Sequence, residues 1–255
     1  MHTFTTMKNT DQIYGIRAVI EAINANEPID KVFIQKGLKG DLSREMETLL
    51  RKNSINASYV PIEKLNRLTK NNHQGVVASI SPISFLSMEE LVEQVAEKET
   101  APLFLLLDQL SDVRNFGAII RTAECTGVDG IIIQKKGAAP VTADTIKTSA
   151  GAAFRVPIAK VDHIKDAVFF LQASGIQVVA ATEKTNNTIY DVSFTAPTAI
   201  ILGSEDQGIT PSILKAADHL AKLPMLGSIG SLNVSVACGV FLYEAVRQRM
   251  DAIPK

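Results

Sequence analysis

Leu103-Phe104-Leu105-Leu106-Leu107 decides the architecture of this chain, because five apolar residues run without alternation and stop at Asp108. A strand buried on both faces reads this way, and such burial belongs to parallel sheets covered by helices. Residues 108–117 then read as a loop and 118–125 as a helix. The design recurs at Thr198-Ala199-Ile200-Ile201-Leu202, bounded by Pro197 and Gly203 and emptying into Gly203-Ser204-Glu205-Asp206-Gln207-Gly208. Between the two runs, strands at 131–134, 156–158 and 178–181 alternate with helices at 142–150 and 164–173, which predicts an α/β domain built on a parallel sheet. Ligands in open parallel sheets bind beyond the carboxyl ends of the strands. A third segment, Pro224-Met225-Leu226-Gly227-Ser228-Ile229-Gly230-Ser231-Leu232-Asn233-Val234-Ser235-Val236-Ala237, joins them as a glycine-rich loop running into a helix. Gly227 and Gly230 are expected to bring backbone close to a ligand, and Ser231 to cap the helix.

Upstream of residue 82 the periodicity changes. Ile16, Val19, Ile20 and Ile23 share one helical face, as do Leu42, Met46, Leu49 and Leu50. Strands are expected at 32–34, 57–60 and 76–80, with a short helix at 62–69, which gives a compact α/β/α unit. Charge separates the modules. Residues 1–82 hold 11 Lys and Arg against 8 Asp and Glu, residues 83–101 hold one Lys against five Glu, and 102–255 carry 14 of each sign. The middle stretch reads as an acidic linker with a short helix after the capping pattern Ser87-Met88-Glu89-Glu90. The expected division is therefore 1–82, a linker at 83–101, and 102–255.

The composition excludes several classes. A net charge of −1 gives no global basic footprint, so affinity for nucleic acid must come from local patches. The two cysteines, Cys125 and Cys238, lie on separate expected helices, which argues against a disulfide framework, and His2, His73, His163 and His219 form no metal-ligand pattern, so no metal is expected. No apolar run is long enough to span a membrane and Met1 to Asn9 lacks a signal-peptide core, so a cytoplasmic protein is expected. Neither Gly-x-Gly-x-x-Gly nor a Gly-Lys-Ser/Thr phosphate loop is present, which removes the common dinucleotide and triphosphate folds.

Asn115-Phe116-Gly117-Ala118-Ile119-Ile120-Arg121-Thr122-Ala123-Glu124, Leu202-Gly203-Ser204-Glu205 and Ser231-Leu232-Asn233-Val234-Ser235-Val236-Ala237 occur in that order. Together they resemble the three motifs of the SpoU (TrmH) RNA ribose methyltransferases, nearest to the RlmB-type 23S rRNA guanosine 2'-O-methyltransferases. The resemblance implies a SPOUT-type catalytic domain with a C-terminal trefoil knot, preceded by a ribosomal-protein-like (L30e-like) RNA-binding domain. It also implies S-adenosylmethionine as cofactor, an RNA substrate, a homodimer with sites drawn from both subunits, and no membrane or DNA partner. Asn115, Arg121, Glu205, Ser231 and Asn233 match the family's catalytic positions. Gly203, Leu223 and Leu232 match cofactor contacts, with Gly227 in the loop beside them.

The first module supplies Arg17, Lys70 and His73 as RNA contacts, and Arg114 adds a charge at the presumed RNA entry. Arg121 interrupts an apolar helix, so it is expected to be buried beside an anionic partner. A guanidinium stays protonated near neutral pH. Its roles as general base or as a clamp on phosphate and developing oxyanion both remain open. Glu205 is read either as a carboxylate at a helix N-terminus or as a substrate-positioning group. One departure from the family stands out: Asp112-Val113-Arg114-Asn115 has valine where relatives commonly have proline. A tRNA ribose is the alternative target, and a non-catalytic RNA-binding module the alternative class.

Overall fold

A computed structural model describes residues 12–251 except 54, 97 and 99. His2 and the stretch read for a signal peptide lie outside the described residues. The chain divides into two compact units, Met1–Ser84 and Phe85–Lys255.

The first unit runs β1 (Gln12–Tyr14), α1 (Ile16–Asn24), β2 (Ile29–Gln35), α2 (Asp41–Lys52), β3 (Ala57–Val60), α3 (Ile62–Leu68) and β4 (Val76–Ile80). Its sheet has the order β1-β4-β2-β3, with β2 and β3 parallel and β4 antiparallel to both neighbours. Val19, Ile20 and Ile23 of α1 and Met46 and Leu50 of α2 pack on Val32, Ile34, Val76 and Ala78. Val77 points to the other face, where it meets Val60 and Leu65 of α3. One alternating strand thus serves two helical layers. Leu42, expected on the buried stripe, is exposed at the start of α2.

The second unit comprises α4 (Met88–Ala96), β5 (Leu103–Asp108), α5 (Val113–Cys125), β6 (Gly130–Gln134), α6 (Ala143–Thr148), β7 (Ile158–Val161), α7 (Ile164–Ala173), β8 (Gln177–Ala181), β9 (Thr198–Gly203), α8 (Pro211–Leu214), β10 (His219–Ala221) and α9 (Val234–Asp251). Six parallel strands take the order β10-β8-β9-β5-β6-β7. The two apolar runs, β5 and β9, lie side by side at the centre, paired from Leu103–Thr198 to Asp108–Gly203. Chain order leaves β5 towards β6 and β9 towards β10, in opposite directions. The carboxyl ends of β5 and β9 therefore mark the switch point of the sheet. Strand β7 begins after Pro157 rather than at Val156, since proline has no N–H for a ladder.

Residues 83–101 are not a solvated linker. Met88, Leu91 and Val95 of α4 are buried in the same core as Phe104, Leu106, Ile132, Val168 and Leu171. A Cβ on Gly130 would meet Leu91 Cδ1 at 2.5 Å, so this helix sits where β6 begins. Glu89, Glu90 and Glu93 are exposed on its outer face. At the other end of the chain, Arg249 of α9 donates to the carbonyls of Ala101, Pro102, Phe194 and Ala196, which ties the last helix to the segments entering β5 and β9.

Cys238 is fully buried in α9 and burial pushes its thiol up to about 12, whereas Cys125 is exposed on α5. A thiolate is the reacting species. One thiol per chain is therefore expected to react with an aromatic disulfide reagent in native protein at pH 8, and two in denaturant. Two fast thiols before unfolding contradict this packing.

Candidate active site

Helix α5 starts five residues earlier than its apolar period suggests. Asp112 is its N-cap, with its carboxylate accepting from Asn115 N at 2.8 Å. Asn115 is therefore in the first helical turn and not in a preceding loop. Val113 occupies the first helical position, where a proline's missing N–H costs nothing and its fixed φ suits the helix. Val113→Pro is expected to raise stability by about 0.4–1 kcal/mol, read as an upward shift of the urea midpoint at unchanged m.

The start of α9 also differs. Asn233, and not Ser231, caps the helix: its Oδ1 accepts from Ser235 N at 3.0 Å, Ser235 Oγ at 2.6 Å and Val236 N at 3.3 Å. These donors fix the orientation of the amide, because the atom facing them must be the oxygen. Asn233 Nδ2 then points outward and donates to Glu205 Oε1 at 2.7 Å and to Asn115 Oδ1 at 3.0 Å. Asn115 Nδ2 in turn donates to the same Glu205 oxygen at 2.9 Å. A closed triangle of three side chains thus links three segments 28 to 118 residues apart. Glu205 lies in a turn after β9, so the helix-terminus role considered for it does not apply.

Beside this triangle opens a cavity of about 1010 Å³. Four stretches wall it, Ala181 to Lys184, Leu202 to Gly208, Ala221 to Met225, and Gly230 to Val234, with Thr188, Ala237 and Phe241 completing the lining. Gly203, Leu223, Leu232, Glu205, Ser231 and Asn233 all line it. The volume is at the upper end for small-molecule sites, and the lining joins apolar residues such as Leu223, Met225 and Leu232 to charged ones such as Glu183, Lys184, Asp206 and Lys222. A purine ring between leucines, with its edge read by main-chain N–H and C=O, suits such walls.

Gly203 is needed for a reason other than the cavity. A Cβ there would run into the backbone of Gly208 and Ile209, far inside van der Waals distance. The loop returns across its own root. Gly230 lines the cavity and Gly227 does not; neither has positive φ, and a Cβ on either would meet no protein atom within 4 Å.

Arg121 is exposed, and it makes no ion pair or hydrogen bond with any described residue. Against the expectation drawn from its apolar neighbours, Arg121 is not buried. Six residues along a helix turn the side chain by roughly 120° and advance it about 9 Å, so Arg121 leaves the face that carries Asn115. It shares its own face with Arg114, which is also exposed.

In the first unit Arg17 and Lys70 are exposed, and Lys70 Nζ reaches only Asn66 O, at 3.4 Å. His73 is different. It is 9% exposed, accepts from Gly75 N through Nδ1 at 3.0 Å and donates from Nε2 to Asn66 Oδ1 at 2.9 Å. Both ring nitrogens are engaged in holding the turn, so His73 is not available as an RNA contact. Among the described residues no cluster of His, Cys, Asp and Glu could hold a metal, and no helix is long and apolar enough to cross a membrane.

Residues 102–243 match the model of the SpoU rRNA Methylase family, and residues 12–86 that of the RNA 2'-O ribose methyltransferase substrate-binding domain. The chain belongs to the SpoU (TrmH) family. Its reaction class is thereby RNA ribose methyl transfer. A TrmH-family protein of Staphylococcus aureus, named for tRNA/rRNA methylation, is 38% identical over 240 residues, covering 94% of this chain and 96% of its own. The SpoU methyltransferase AviRb of Streptomyces viridochromogenes, solved with the cofactor AdoMet, is 26% identical with a TM-score of 0.59 and covers 94% of this chain and 91% of its own. The A. aeolicus TrmH/SpoU tRNA modifying enzyme is 34% identical with a TM-score of 0.55, covering 64% of this chain and 83% of its own. S-adenosylmethionine is the cofactor of this SpoU protein, and the cavity opens at the carboxyl ends of β8, β9 and β10.

Proposed function

We propose that this SpoU protein transfers a methyl group from S-adenosylmethionine to the ribose 2'-hydroxyl of a guanosine in the peptidyl-transferase region of 23S rRNA. The observation that carries the reading is the Asn115–Glu205–Asn233 triangle at the mouth of the cavity. The cofactor supplies an electrophilic methyl group when bound. Everything else falls to this chain.

Leu223 and Leu232 flank the adenosine, and Gly203 allows the close return of the loop that forms one wall. Glu205 uses one oxygen for both asparagines, which leaves the other to orient the attacking hydroxyl. Ser231, exposed on the cavity rim, positions the nucleotide. Holding a nucleophile in line with an electrophile removes much of the barrier by itself. Arg121, lying away from its own triangle, serves the cavity of a second subunit, where it binds phosphate and stabilises the developing 2'-oxyanion. Exposed apolar side chains, Leu232 just before α9 and Val236, Val240 and Tyr243 along it, support that homodimer, whereas Phe241 is core, packed edge-on against Phe194.

Arg17 and Lys70 of the first unit contact the RNA backbone, as does Arg114. A cation in the first turn of α5 opposes the helix dipole, so Arg114 does not stabilise its own helix. Membership of the family supports the knotted topology of the SPOUT fold, and a working division at about residue 84 separates docking from chemistry in a cytoplasmic enzyme.

Labelled S-adenosylmethionine, incubated with separate rRNA and tRNA pools from a methylation-deficient host, tests the reading. Label mapping to one 23S guanosine 2'-oxygen is the expected result. Label in tRNA keeps the reaction and overturns the target, and absence of cofactor binding overturns the reaction.

A further inference from the structure

Asp108 ends β5 with no exposed surface and stands outside the Asn115–Glu205–Asn233 triangle. Its Oδ2 accepts from Thr210 N at 2.7 Å, while its Oδ1 is buried without a hydrogen-bond partner among the described residues. A buried carboxylate satisfied by one backbone amide is a poor contributor to stability. Its neighbour Gln109 is held at φ 56, a left-handed conformation unusual for a residue with a Cβ, and donates from Nε2 to Thr210 Oγ1 at 3.1 Å. Two consecutive residues leaving β5 therefore grip the same threonine.

Thr210 is where the segment after β9 ends, and that segment carries Glu205. Its beginning is tied to the same place, because Gly203 pairs in register with Asp108 across the β5–β9 ladder. Entry and exit of the Glu205 loop are thus both pinned to Asp108, one through strand pairing and the other through the side chain. We propose that Asp108 is a positioning residue for methyl transfer, which sets the height of Glu205 against Asn115 and Asn233 by clasping Thr210. The proposal rests on the reading of that triangle as the reacting centre.

Four variants test it by steady-state kinetics with RNA and S-adenosylmethionine: Asp108→Ala, Asp108→Asn, Thr210→Pro and Glu205→Ala. Thr210 has φ −52, which proline adopts, so Thr210→Pro removes the donated N–H and leaves the backbone path allowed. Asp108→Ala and Thr210→Pro are each expected to lower kcat by about 10–100-fold, with KM for RNA within about threefold of wild type. Asp108→Asn, which keeps an acceptor for Thr210, restores most of that loss. Adding Asp108→Ala to Glu205→Ala is expected to cost nothing further, because the clasp acts through the loop carboxylate. A merely structural aspartate gives losses that multiply in the double variant, and that result overturns the proposal, as does Thr210→Pro at wild-type kcat. The last outcome decides the matter even if Asp108→Ala does not fold. Wild-type activity in Glu205→Ala instead overturns the assignment of the reacting centre, which separates that failure from failure of the clasp.

Discussion

Arg121→Ala is expected to lower kcat by about 10²–10³-fold while S-adenosylmethionine affinity stays within about twofold. The side chain is exposed, has no partner among the described residues and does not line the cavity, so its removal disturbs neither the fold nor the cofactor walls. The sharper form of the prediction uses two inactive proteins. If Arg121 completes the site of a second subunit, co-expressing Arg121→Ala with Glu205→Ala produces heterodimers in which one site has both an intact triangle and an intact arginine. Random pairing makes half of the dimers mixed and leaves one of their two sites working, so about a quarter of wild-type activity returns. An arginine acting within its own chain restores none. Arg121→Lys then asks what kind of cation is needed: a point charge keeps attraction to phosphate but lacks the planar fork, and is expected to recover only part of the rate.

Gly203→Ala is expected to cost more than about 4 kcal/mol and to abolish cofactor binding, the largest stability effect of any single methyl group here. The added carbon meets main chain, and backbone crossing backbone has no flexible end that can swing aside. Strand β9 would have to leave its register with β5, which carries the cavity wall with it. Gly227→Ala and Gly230→Ala provide the comparison, since open space surrounds both positions and neither has positive φ. Both are expected to retain the wild-type urea midpoint. Equal destabilisation of all three variants would contradict the crossing at Gly203.

Sequence pattern is informative where burial is continuous and fails where one residue's environment depends on direction. Strands β5 and β9 are legible because both faces of each are buried, and a short unbroken apolar run bounded by turn residues fits little besides a strand covered on both sides. The start of α5 is hidden because Asn115 and Gly117 weaken the apolar period just where Asp112 caps the helix through a backbone N–H. Ser231 and Asn233 are both competent caps two residues apart, and only the path of the loop selects the second. Arg121 misleads through its apolar neighbours: Ile119 and Ile120 point into the core while the next side chain emerges from it. Short strands such as β1 and β10, three residues each, have too little pattern to be read at all. The family motifs foreshadow which residues form the triangle, but not the sharing of one carboxylate oxygen by two amides.

Helix α4 shows how charge summed over a window misleads, because five glutamates in residues 83–101 conceal three apolar residues on the inner face. Its packing has a practical meaning for anyone dissecting the protein. The methylase-family match spans residues 102–243, yet the plug over Gly130 comes from Leu91 and the last clasp on the sheet comes from Arg249. A fragment cut at the match boundaries would expose the underside of its sheet and aggregate, and would wrongly suggest that the catalytic half depends on the RNA-docking half. The stretch covered by the methylase-family match is smaller than the packed second unit, and expression boundaries belong outside residues 85 and 251.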